Sequence, residues 1–248
     1  LAFINPLSWL KESHTLHNTM LEKHIVWLKL WDDSQSKGLI NADIPISLFV
    51  LKNTLNIDSK TIIESEIKRK RLITSSFEYL NPKHSIPLAF HSIFNKLTKY
   101  IHENNLQLEY STKTIKSTGI KTKIPDEYTY DDMWAVDTYT IKEGIHVKKA
   151  LVKHPDAKKR KLIISNKRCF VGAFIDEGQL GLSGTHKFYI LGENLELIQK
   201  LLTFKISNIL CEFTKYGQSF LDTTAFKYIP DLRKLNINDI NEDEFYKL

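Results

Sequence analysis

The sequence predicts an α/β protein in which a strand–helix–hairpin unit opens the chain and a mixed α+β domain follows it. Three observations carry this. Residues 1–4, 25–31 and 44–51 are apolar, β-branched or aromatic runs of strand length, and a stretch with helical spacing separates the first two. Residues 87–104 and 193–215 place apolar side chains at a 3.6-residue period. From Leu106 onward the pattern breaks into short strands with turn residues between them.

Taken in order, the first strand stops at Asn5-Pro6, where proline cannot donate to a ladder and pushes its predecessor out of helical geometry. Ser8 or Ser13 can cap the following helix, which puts Leu16, Met20 and Leu21 on one face, with Ile25 beyond. Residues 25–31 and 44–51 form two strands joined by roughly a dozen residues, which is most simply an antiparallel pair. Pro45 is tolerable because it lies where the second strand begins.

Residues 58–73 (DSKTIIESEIKRKRLI) read as a helix capped at Asp58 or Ser59, with Ile62, Ile63 and Ile67 inward. Its basic residues 68–71 complement the carboxyl end of the helix dipole. The next helix, residues 87–104, buries Phe90, Ile93, Phe94, Leu97 and Ile101. Strands then follow in LQLEY, KTIKSTGIKTK, DEYTYDDMWAVDTYTIK, CFVGAFID and GQLGLSGTHKFYIL. A long helix over 193–215 keeps Leu195, Ile198, Leu202, Ile206, Ile209 and Phe213 on one face, and NINDINEDEFYKL reads as a capped terminal helix. The expected organisation is an opening unit over 1–56, a helical connector over 57–105 and a sheet-rich domain over 106–248.

Composition narrows the function classes. Hydrophobic residues make up 42% of the 248, enough for an ordinary core, and no run approaches the length of a membrane span. The net charge of +6 is mild, so the location of the positive groups matters more than their number. Two cysteines, Cys169 and Cys211, are too few for a disulfide scaffold and read as reduced core residues. With no basic-then-apolar leader, an intracellular, cytoplasmic protein is expected. The chain opens on Leu1, already inside a strand pattern, which suggests residues upstream of it.

The opening phrase Ile4-Asn5-Pro6-Leu7-Ser8-Trp9-Leu10, followed by the runs 25–31 and 44–51, resembles the second half of the catalytic domain of adenine-specific DNA methyltransferases of restriction-modification type. The resemblance implies the last three strands of a seven-stranded, Rossmann-like methyltransferase sheet ending in an antiparallel hairpin. The later half is similar to their target-recognition domain. Asn194-Leu195, Ile198, Leu201-Leu202 and Phe204-Lys205-Ile206 carry that likeness, with Tyr228-Ile229-Pro230-Asp231-Leu232 after them.

The resemblance implies S-adenosylmethionine as cofactor, double-stranded DNA as partner, and Pro6, Trp9 and the position of Leu39 as the wall of a pocket for a flipped adenine. It also exposes departures. The family's glycine turn for the cofactor is missing, and so is its Asn/Asp-Pro-Pro-aromatic tetrad. Asn5-Pro6 is followed by Leu7-Ser8 and Asn81-Pro82 by Lys83-His84, so no catalytic residue is assigned. Two descriptions stay open: the DNA-binding carboxyl-terminal portion of such an enzyme, and a non-catalytic DNA-binding or scaffold subunit derived from one, acting with a separate chain that carries the cofactor half. An unrelated α/β interaction protein would show no salt-dependent DNA affinity.

Lys113, Lys116, Lys121 and Lys123, then Lys158, Lys159, Arg160, Lys161, Lys167 and Arg168, are basic groups in loops flanking short strands, with Tyr128, Tyr130, Trp134, Phe170 and Phe174 nearby in sequence. They are the candidate phosphate contacts, and a solvated basic face is the alternative. His14 and His17, three apart with His24 beyond, could share a metal, but no Cys, Asp or Glu cluster completes such a site and none is expected. Gly178, Gly181 and Gly184 have the spacing of a hairpin turn rather than of a phosphate loop. Glu66-Ile67-Lys68 has the letters of a nuclease motif, on an expected helix.

Overall fold

The computed structural model describes residues 1–32, 37–38, 41, 44–56, 59–67, 70–115, 130–136, 145–150, 153–165, 170, 173–183, 187–217 and 221–247, with backbone alone for 130–136 and 145–150. The chain is mixed α/β, with parallel and antiparallel strand pairs. It divides into two compact units, Leu1–Tyr100 with Glu212–Tyr228, and Ile101–Cys211 with Ile229–Leu248. The first unit therefore runs well past residue 56 and regains a late segment that the expected boundaries gave to the sheet-rich domain.

The first unit is built on a five-stranded sheet of order β1-β3-β2-β4-β5, from β1 (Ala2–Pro6), β2 (Lys23–Trp31), β3 (Ile46–Leu55), β4 (Lys60–Ile67) and β5 (Leu72–Tyr79). β3 pairs antiparallel with both β1 and β2, in the register Phe3↔Phe49 and Leu28↔Phe49, so the expected hairpin is present. β1 ends at Pro6 as expected, and a 3-10 turn, Leu7–Leu10, tucks Leu7, Trp9 and Leu10 into the core. The Trp9 indole donates to Ser47 Oγ at 2.8 Å, and that hydroxyl donates to the Asn5 carbonyl at 3.2 Å. The turn is thereby fastened to β3. Helix α1 (Thr15–Leu21) starts later than expected, capped by the His14 ring, and it buries His17 and Leu21 while leaving Leu16 exposed.

Within the stretch expected to be helical over 58–73, residues 60–67 and 72–73 are strand instead. β4 runs parallel to β2 and antiparallel to β5, which pairs with it from Lys60↔Tyr79 to Ile67↔Leu72. The covered face of β4 reads Thr61, Ile63, Ser65, Ile67, a period-two set. Thr61 belongs there because its hydroxyl donates to the Ile25 carbonyl at 2.6 Å, satisfying a polar group in the core. Helix α2 (His91–Glu103) is present but starts later than expected: Phe94 and Ile101 are buried, whereas Phe90, expected inside, precedes the helix at φ 59° and is exposed. The returning segment is stitched in by Leu88 N donating to the Phe213 carbonyl at 2.8 Å and by the edge-on Phe94–Tyr228 pair.

The second unit holds two three-stranded sheets. One has the order β10-β6-β7, from β6 (Tyr130–Val136), β7 (Ile145–Ala150) and β10 (Gly181–Leu182). The other, β11-β8-β9, comprises β8 (Lys161–Ser165), β9 (Phe174–Asp176) and β11 (Lys187–Leu191). The long helix expected over 193–215 is two, α3 (Leu195–Thr203) and α4 (Lys205–Glu212), divided at Phe204, whose ψ of 150° is extended. Side chains on both sides take up the freed carbonyls: Thr203 Oγ1 donates to Lys200 O and Ser207 Oγ to Leu201 O. The terminal helix α5 (Glu242–Phe245) carries the Asn241/Glu244 capping box. Cys211 is buried and disulfide-bonded, so the expectation of a reduced thiol does not hold for it, and the argument from cysteine for a reducing compartment goes with it. Among the described residues no helix is long and apolar enough to cross a membrane.

Candidate nucleic-acid interface

The basic turn at residues 153–161 is the part of the expected interface that the structure builds in detail. It enters β8 and is held by three buried side chains. His154 Nε2 meets the Lys113 carbonyl at 3.0 Å, and Asp156 N donates to His154 Nδ1 at 3.1 Å. Since a carbonyl only accepts, the ring is the neutral tautomer protonated at Nε2. The Tyr189 hydroxyl donates to Asp156 Oδ2 at 2.7 Å. That bond and the Lys159 ammonium, 2.7 Å from Oδ1, hold the Asp156 carboxyl below the usual carboxylate range, Lys159 having the larger effect. Burial pushes the Tyr189 phenol up, and its bond to Asp156 adds to the rise.

Lys161 sits where the turn becomes strand. Its ammonium is completely buried, 2.5 Å from Asp176 Oδ2 and within 3.0–3.3 Å of the carbonyls of Asp156, Ala157 and Lys159. Asp176 in turn accepts from the backbone N–H groups of Gln179 and Leu180, closing the turn after β9. Gly178 in that turn has φ +86°, and a Cβ there would lie 2.7 Å from the Lys158 carbonyl oxygen. Only glycine allows the two turns to touch. Gly178 is thus a turn residue, as expected, but not of a hairpin: β9 before it pairs with β8, and the strand that follows, Gly181–Leu182, belongs to the other sheet of this unit.

These contacts sort the expected phosphate contacts. Lys161 is removed from the set, because its charge is spent inside the fold and its side chain cannot reach a ligand. Arg160 pairs with Glu177 at 2.9 Å and with Glu196, two exposed carboxylates that keep the guanidinium firmly charged while neutralising it locally. Lys158 and Lys159 are exposed on the turn, Lys159 sharing its charge with Asp156. Lys113 is exposed on the neighbouring segment, which His154 ties to the turn. Lys116, Lys121, Lys123, Lys167 and Arg168 lie outside the described residues. Sequence reasoning missed Lys153, which is exposed on the same turn, and the anchors His154, Asp156 and Tyr189. The phrase His154-Pro155-Asp156 is a turn signal that points to two of them.

The expected pocket wall fares differently. Pro6 is exposed at the end of β1, whereas Trp9 is 2% exposed, with its ring 5.3 Å from that of Phe49. Trp9 is a core residue because both its apolar body and its N–H find partners inside the unit. Leu39 lies outside the described residues. His14, His17 and His24 do not converge: they engage Leu16 N, the Trp9 carbonyl and the Lys60 carbonyl. Burial is the main reason that His17 titrates below its ordinary value. Glu66 is on a strand rather than a helix, and its carboxylate accepts from the Trp31 indole at 3.1 Å. Lys68 lies outside the described residues.

No protein-family model matches the chain, and no curated protein matches it in sequence.

Proposed function

We propose that this chain is the DNA-holding carboxyl-terminal portion of an adenine-specific DNA methyltransferase. The observation that carries the reading is the β1–turn–α1–β2–β3 unit. β3 is antiparallel to β2 and fastened to the end of β1 through Trp9 and Ser47, within the residues whose sequence resembles that family. In this reading the second unit is the target-recognition part. Lys113, Lys153, Lys158 and Lys159 offer ammonium groups from a turn that His154, Asp156 and Lys161 make rigid, and they meet phosphate oxygens, which supplies affinity without sequence preference.

S-adenosylmethionine does not fit the residues of this chain. In this reading β1, β2 and β3 are the last strands of the family's sheet, so the strand and glycine turn that hold the cofactor have no counterpart among these residues, and the Asn/Asp-Pro-Pro-aromatic tetrad is missing from the sequence. No methyl-transfer step is assigned to these residues; the cofactor belongs to a partner half. Two titrations test the reading. Fluorescence anisotropy with a labelled duplex should give saturable binding that weakens steeply with added salt, and failure to bind at low salt would refute it. Calorimetry with S-adenosylmethionine should give no heat, and binding by this chain alone would overturn the assignment of the cofactor to a partner.

A further inference from the structure

The core of the first unit stops one strand short of the edge of its sheet. The registers Phe3↔Phe49, Leu28↔Phe49, Leu28↔Ile63 and Ile63↔Ser76 run one row of side chains across all five strands on the covered face. Phe49, Leu28 and Ile63 are buried, and on β5 the row finishes on a small polar residue, Ser76, whose hydroxyl lies 3.2 Å from His91 Nδ1. At the other end it finishes on Phe3. That ring stacks on Phe49 at 5.5 Å, and Phe49 packs on Trp9 at 5.3 Å, yet Phe3 is 43% exposed.

The backbone of β1 is unpaired on the same side. Leu51 N donates to the Leu1 carbonyl at 2.8 Å, Leu1 N donates back to the Leu51 carbonyl at 3.0 Å, and Leu7 N donates to the Pro45 carbonyl at 3.1 Å. Bonded pairs alternate in an antiparallel ladder, so Leu1, Phe3, Asn5 and Leu7 face β3, while the N–H and C=O groups of Ala2 and Ile4 point away from it. Among the described residues no strand pairs with that edge, and Ala2, Phe3 and Ile4 are exposed. Edges left to water are blunted with charge, bulges or a covering loop. β1 carries no charged side chain, its pairing with β3 has no bulge, and Pro6 comes only at its end. Free donors and acceptors two residues apart, about 6.8 Å along the strand, are met in full by another extended strand.

We propose that the free edge of β1 receives a strand of the partner half that holds the cofactor, which continues this sheet and brings the apolar layer that covers Phe3. The identity of the partner rests on the methyltransferase reading; the strand addition itself rests on β1 alone. A second copy fits less well. It would offer the same open strand and the same uncovered ring, so two bare edges would meet with nothing laid over either Phe3.

The probe is a terminally blocked, uncharged eight-residue peptide alternating valine with threonine, followed by amide hydrogen exchange in NMR spectra of the full chain. Ala2 and Ile4 should exchange freely without peptide and at least about tenfold more slowly with it at millimolar concentration. Phe3 and Asn5, bonded to β3 throughout, should not change. Ile4→Pro removes the outward N–H and keeps the bonds of Phe3 and Asn5 to β3. It should weaken peptide binding at least about tenfold while Phe3 and Asn5 stay protected. Phe3→Ser, which leaves every backbone group in place, should weaken it about threefold. Unchanged exchange at Ala2 and Ile4 would overturn the proposal, as would indifference to Ile4→Pro. A dimer in sedimentation that Ile4→Pro dissolves would give the edge to a second copy and overturn it too. Failure of the DNA titration with peptide binding intact would remove the methyltransferase half as the occupant and leave the edge a strand-addition site.

Discussion

Replacing Lys161 with alanine is the sharpest perturbation of the second unit. The substitution deletes a cation that is wholly buried, and it leaves the Asp176 carboxylate without its countercharge and the carbonyls of Asp156, Ala157 and Lys159 without a donor. Removing one partner of a buried ion pair costs about 3–5 kcal/mol, chiefly because the remaining charge stays desolvated. The two backbone N–H groups on Asp176 soften this, which favours the lower end of the range. For a unit of about 130 residues, where one kcal/mol moves the midpoint by about 3–4 °C, the loss corresponds to about 10–15 °C. Urea unfolding followed by circular dichroism, with calorimetry to separate transitions, measures it. The paired variant Lys161→Met/Asp176→Leu should recover only part of the loss: no unpaired charge is then left inside, but the carbonyls of Asp156, Ala157 and Lys159 and the N–H groups of Gln179 and Leu180 lose their partners. A cost below about 1 kcal/mol for Lys161→Ala would refute the reasoning, since that is the range of an exposed pair.

Three further outcomes are expected. Arg160→Ala should change stability by less than about 1 kcal/mol in the same unfolding assay, because both its carboxylate partners are exposed. Gly178→Ala should destabilise by about 2 kcal/mol or more, as a β-carbon there must displace the Lys158 backbone, and equilibrium unfolding would show it. Burial holds His91 neutral, lowering its pKa from 6.5 to about 4, and its Nε2 has no partner among the described residues. Between those values the unfolded chain binds a proton that the folded one does not, so stability falls as pH drops from 6.5 towards 4. The loss is on the order of 3 kcal/mol, and His91→Leu should flatten that limb of a pH series of urea titrations.

The opening unit was legible because its apolar runs coincide with strands β1, β2 and β3, although β1 itself is largely exposed, and Pro6 marks a true strand end. β4 and β5 were not, and the reason is physical. Their covered side carries Thr61, Ser65, Thr74 and Ser76, while Ile62, Ile73 and Phe77 face outward. Reading apolar residues as inward then turns an alternating strand into an apparent helix. The break at Phe204 was hidden for a related reason. The periodicity of Leu195, Ile198, Leu202 and Ile206 continues across it, and only the Thr203 and Ser207 hydroxyls, which satisfy carbonyls locally, mark the interruption. At the basic turn the sequence shows charge but not its disposition. Lys158 and Lys161 read alike, yet one is exposed and the other is buried against Asp176, fifteen residues on.

That difference determines how the DNA reading must be tested. A variant that alters Lys161 would weaken DNA binding by damaging the fold, so the informative change is Lys113→Ala/Lys158→Ala/Lys159→Ala, with Lys161 kept. The decisive measurement is the slope of log binding constant against log salt for a duplex, wild type against this variant. Three lost phosphate contacts predict a slope shallower by about 2.7 and weaker affinity on every duplex sequence. An unchanged slope with unchanged affinity would contradict the assignment of this turn to DNA.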